Sequence, residues 1–154
     1  MTKLLALFVM VWTIGVAGGS TAQTSGTSVV HLPKDIVYKG LPGTPQHVTL
    51  IGDPTKPGLY SMLLRVGPNT RIEAHAHPDD RVATVISGTW YFGYGAKFDE
   101  KALKMLPPGS FYTEPPNTNH FAMTRAEGVT IQITGTGPSG TSYADPANDP
   151  ARKK

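Results

Sequence analysis

The chain has no cysteine, which excludes disulfides, thiolate metal sites, cysteine nucleophiles and a lipid-modified cysteine anchor. Charge is sparse: 16% of residues are Asp, Glu, Lys or Arg, below the ~25% of an average domain. That composition does not suit a coiled coil or a long-helix protein, and no segment of helical period exceeds two turns. Lys/Arg clusters with interleaved aromatics are missing, so nucleic-acid binding has little support. No nucleophile elbow, P-loop or dinucleotide fingerprint occurs; Gly93-Tyr94-Gly95 alone is too short a match. What is abundant is turn chemistry, with 17 Gly and 14 Pro in 154 residues. Between the turns lie short alternating apolar runs, the composition of a β-sandwich or β-barrel. The length suits one domain with a core large enough to fold unaided.

Residues 1–22 read as a secretory signal peptide. Lys3 supplies the positive start, LLALFVMVWTIGVA the apolar run, and Ser20-Thr21-Ala22 the small residues before cleavage at Gln23. The run is short of the ~20 residues of a membrane span; an uncleaved anchor is the alternative. The reading implies export, to a periplasm or out of the cell, with no stable membrane anchor after cleavage. Lys3 and the terminal Arg152, Lys153 and Lys154 are four of the 14 bases, leaving ten against 11 acids. The basic balance therefore sits largely at the ends.

Residues 23–35 look like a flexible lead-in and 136–154 like a loosely ordered, basic-ended tail, with Tyr143 the one residue placed to dock. Between them, 36–135 read as strands at 36–38, 47–51, 60–66, 71–75, 81–87, 89–94, 104–106, 111–114, 120–124 and 129–134. Gly67-Pro68-Asn69, Ser87-Gly88, Pro107-Pro108-Gly109, Pro115-Pro116-Asn117 and Glu127-Gly128 punctuate them. A short helix is expected at most near 98–104, capped by Asp99. So many short strands are economically closed as two antiparallel sheets in a jelly roll.

His31 and His47 are isolated. His75 and His77, two apart on a predicted strand, project from one face and can grip a divalent ion. The run Gly67…His75-Ala76-His77…Gly88 resembles the first cupin motif, with its HxH pair between phased glycines. Leu106-Pro107-Pro108-Gly109…Pro115-Pro116-Asn117-Thr118-Asn119-His120 resembles the second. The likeness spans roughly 45–135 and implies an all-β fold, a single cupin jelly-roll barrel. It also implies His75, His77 and His120 as ligands of one divalent transition metal. Fe²⁺ is favoured by the three-His sites of some cupin dioxygenases; Zn²⁺, Mn²⁺, Ni²⁺ and Cu²⁺ are open. A homodimer is implied by the resemblance alone.

The sequence departs from the motif at one position. Seven residues before Gly88, where cupins commonly carry a Glu ligand, stands Arg81, which has no lone pair to give. Arg81 facing inward would clamp a carboxylate or enolate, making the partner a small anionic molecule. Facing outward, it would pair with Asp79 or Asp80. Glu73, two before His75, shares its face if the strand is regular, as a ligand or proton shuttle; pairing with Arg71 or Arg81 is the alternative. The expectation is an exported mononuclear metal-binding cupin of dioxygenase type, with Arg81 and Glu73 catalytic. A non-catalytic binding module and a cupin that has lost its metal are the competing readings.

Overall fold

The computed structural model describes Gly26 and residues 28–40 and 43–152; the segment 1–22, read above as a signal peptide, lies outside the described residues. Among the described residues, ten strands form two antiparallel sheets. They are β1 (Gln46–Ile51), β2 (Gly58–Val66), β3 (Arg71–Ala76), β4 (Arg81–Gly88) and β5 (Trp90–Tyr94). β6 (Lys104–Leu106), β7 (Phe111–Glu114), β8 (His120–Met123), β9 (Val129–Gly137) and β10 (Ser142–Tyr143) follow. One sheet has the order β1-β2-β9-β4-β7 and the other β10-β3-β8-β5-β6. This is the expected all-β jelly roll.

The alternation along each strand explains the layering. In β9, Val129, Ile131 and Ile133 are buried while the residues between them are partly exposed. In β4, Ala83 and Val85 face the same core as Trp90 and Phe92 of the opposite sheet. Each large apolar side chain buried this way contributes roughly 1.5–3 kcal/mol. The β4–β5 turn requires glycine: Gly88 has φ +74°, and a Cβ there would run into the Gly128 carbonyl.

Several expectations are corrected. Residues 36–38 form no strand; the chain enters through a 3-10 turn at Pro33–Asp35 and makes one bridge, Lys39 to His47. The helix near 98–104 is a single 3-10 turn, Glu100–Ala102, where the Asp99 side chain accepts from the Lys101 amide at 2.9 Å. The segment read as a loose tail is tied down. β9 runs on to Gly137, and β10 pairs with β3, Tyr143 opposite His75. The Ala144 amide donates to the Ala74 carbonyl at 2.9 Å. Short-range sequence pattern misses this segment because two residues on an edge suffice to anchor it.

Candidate metal centre

The centre lies between the two sheets at one end of the barrel. His75 and His120 are cross-strand partners in the β3–β8 pair, and His77 follows β3 by one residue. Their rings pack with centroids 4.4–5.2 Å apart, and one nitrogen from each lies within 4.8 Å of the other two. His77 and His120 are buried and His75 nearly so. His31 and His47 are exposed and lie apart from this cluster.

The three rings are oriented alike. Nδ1 of His75 donates to the Glu73 carbonyl at 2.7 Å, that of His77 to Gly140 at 2.5 Å, and that of His120 to Thr118 at 3.1 Å. A carbonyl only accepts, so each Nδ1 carries the hydrogen and each Nε2 a free lone pair. Backbone carbonyls holding Nδ1–H are the usual support of metal-ligating histidines. Burial, joined by the charge His120 would carry, pushes His75 down to about 4. Burial, joined by Arg81, pushes His77 down to about 4, and burial also lowers His120. All three are therefore neutral near pH 7, the protonation state a ligand needs. Nε2 of His77 is buried with no hydrogen-bond partner. An orphaned buried lone pair among two others fits a bound cation.

Arg81 points inward and is 8% exposed. Its partner is neither Asp79 nor Asp80: Asp79 accepts from the Tyr60 hydroxyl at 2.6 Å, and Asp80 is exposed. Arg81 lies opposite Glu114 in the β4–β7 register and donates to Glu114 Oε2 through Nε, at 2.8 Å, and through Nη2. Burial opposes ionisation of Glu114, but Arg81 beside it wins and holds the carboxyl below its ordinary value. Glu114 lies outside the sequence-predicted site. The signal was alternation in Phe111-Tyr112-Thr113-Glu114, which puts Glu114 on the face of Tyr112, against the core.

Glu73 is not brought to the centre. β3 carries one extra residue between Ile72 and His75, while its partner β8 steps only from Ala122 to His120. This bulge breaks the two-residue alternation on which Glu73 was placed. Ile72 lines the histidine cavity, whereas Glu73 lines a separate surface pocket and pairs with Arg71 at 2.6 Å.

The cavity has a volume of about 230 Å³. Its floor is the three histidines with Arg81 and Glu114; Met62, Leu64, Ile72, Phe92 and Ile133 form apolar walls, and Thr141 and Tyr143 come from the C-terminal segment.

Neither a protein-family model nor a curated protein matches the sequence. Solved structures do. An RmlC-like cupin from Shewanella frigidimarina aligns with TM-score 0.57 at 16% identity, over 71% of this chain and 91% of its own. The polyketide cyclase RemF from Streptomyces resistomycificus gives 0.59 at 15%, over 79% and 89%. A DMSP lyase structure gives 0.56 at 19% over 66% of this chain, which spans only 53% of that longer protein. These likenesses show the fold: the chain is a cupin-like double-sheet barrel.

Proposed function

We propose that this chain is an exported mononuclear metalloenzyme of dioxygenase type acting on a small anionic molecule. The observation that carries the reading is the set of three imidazoles, two buried and one half-buried, each with Nδ1 committed to a carbonyl and Nε2 turned to one cavity. His75, His77 and His120 would hold one divalent transition ion; three imidazoles suit Fe²⁺, Zn²⁺, Ni²⁺ and Cu²⁺ alike, and Fe²⁺ is favoured by the resemblance to three-His cupin dioxygenases. When bound, such an ion supplies Lewis acidity and, as Fe²⁺, capacity for oxidation by O₂.

The chain's own residues define the substrate class. Arg81 and Glu114 offset each other in charge, and the imidazoles are neutral, so the charge of a bound ion stays available to attract a carboxylate or enolate. Arg81 is committed to Glu114 through Nε and Nη2, so it works as half of a pair rather than as a free clamp. The apolar walls hold the substrate body and exclude water, and the cavity volume limits it to a small molecule. The polyketide cyclase and DMSP lyase names among the similar structures support small-molecule chemistry on this scaffold.

Elemental analysis of protein purified without chelator tests the centre. O₂ consumption with Fe²⁺ and a panel of small acids and diketones then tests the reaction. O₂ uptake matched to loss of one acid supports the dioxygenase reading. Bound metal without turnover makes the chain a binding module, and protein that takes up no metal refutes the centre.

A further inference from the structure

Resting on the metal-centre reading, we propose that Glu114 is the fourth, carboxylate ligand of this site, delivered from β7 and positioned by Arg81. Oε2 of Glu114 lies 3.8 Å from Nε2 of His77 and 3.8 Å from Nε2 of His120. Two donors each ~2.1 Å from one ion are at most ~4.2 Å apart, so these separations fit an ion shared with His77 and His120; Glu114 is not in the mutual 4.8 Å group of the three histidines, so joining His75 on the same ion requires the carboxylate to draw in. The hydrogen count points the same way. Both rings carry their hydrogen on Nδ1 and spend it on a carbonyl. Two lone pairs therefore face a carboxylate oxygen with no proton between them; Arg81 offsets the charge of that oxygen from its other side, and the gap towards the rings is lined by electron pairs that would attract a cation.

The register explains how a carboxylate arrives although Arg81 stands where the motif has its glutamate. Arg81 and Glu114 are direct partners across the β4–β7 pair, so acid and base have changed strands while the carboxylate stays on the cavity face. The guanidinium fixes Oε2 through two donors, which locks the rotamer that aims this oxygen at the histidines. Arg81 is thus a positioning residue, one shell out from the ion.

Co²⁺ binding, read by competition with a chromophoric chelator and by the visible d–d spectrum, tests the assignment. The key variant is Arg81→Met/Glu114→Met. It removes both charges together, so no buried ion is stranded and the net charge at the site is unchanged. Loss of a ligand should weaken Co²⁺ binding by about a hundredfold or more, beyond the 10–100-fold that loss of a supporting partner costs, and should shift the d–d bands. A spectrum superimposable on that of the unmutated protein overturns the proposal, whatever the affinity. The unmutated protein gives a second measurement that needs no variant to fold. Zn²⁺ should shift the antisymmetric carboxylate stretch in an infrared difference spectrum, and no shift overturns the proposal. His75→Ala/His77→Ala separates the two levels of the argument. Retained Co²⁺ there refutes the histidine centre itself; lost Co²⁺ with an unaltered spectrum in the Arg81/Glu114 variant refutes Glu114 alone.

Discussion

Replacing Arg81 by Met leaves Glu114 alone among the strands. In the metal-free protein Arg81 is 8% exposed and Glu114 4%, so water reaches neither well enough to substitute for the lost partner. The carboxylate then has two courses. It stays ionised and unpaired, which for a buried pair broken on one side costs about 3–5 kcal/mol. Or it takes up a proton. Its ordinary pKa is 4.5, so at pH 7 protonation costs about 3.4 kcal/mol at 1.36 per pH unit. The cheaper course governs, and the expected loss is about 3 kcal/mol at pH 7. At pH 5 the same protonation costs under ~1 kcal/mol, so the penalty shrinks as pH falls. The sign is that of a carboxyl whose folded pKa has been raised above its unfolded value: the variant is penalised above the unfolded pKa and relieved towards it. Urea unfolding of chelator-treated protein reads this directly. With m of about 1–3 kcal/mol/M, the midpoint drops by at least ~1 M at pH 7 and by much less at pH 5. Arg81→Met/Glu114→Met should recover most of the loss, since an apolar pair often replaces a buried ion pair at no net cost. A midpoint drop of equal size at both pH values, or no drop at all, refutes the reasoning.

Single replacement of His75, His77 or His120 by Ala should remove most bound metal by elemental analysis, while His31→Ala and His47→Ala should leave it unchanged, being exposed and apart. Metal-free protein should lose stability as pH falls from about 6.5 to about 4. His75 and His77 are held near 4 when folded against an ordinary 6.5, so the unfolded chain takes up protons first. Each contributes on the order of 3 kcal/mol above that window, measurable by urea midpoints across pH. Truncation after Ser139 removes the Gly140 carbonyl that holds His77 and the β10 pairing. It should lower metal affinity about 10–100-fold in a chelator competition while circular dichroism still reports sheet.

The histidines were legible because their spacing is local: an HxH pair at the end of one strand and a proline turn before His120. The glycine-punctuated strands were legible for the same reason. Glu114 was not, because its meaning lies in register. Only the pairing of β4 with β7 sets it opposite Arg81 and turns an apparent missing carboxylate into a relocated one. Glu73 misled in the opposite direction, since a single extra residue in β3 is invisible in a six-residue strand yet reverses the face of its neighbours. The C-terminal segment lacked an apolar repeat because it is held at points, by Gly140, Ser142, Tyr143 and Ala144, rather than by a buried stripe.

That last segment also orders events in time. The carbonyl that sets the tautomer of His77 belongs to Gly140, 63 residues further along the chain. A nascent chain therefore carries the histidines long before it carries the geometry that makes them a matched set. Tight loading by this set would have to wait until the chain through Gly140 has been made and β10 has paired with β3. The ion acquired is then chosen by the surroundings in which folding finishes rather than by those in which it begins.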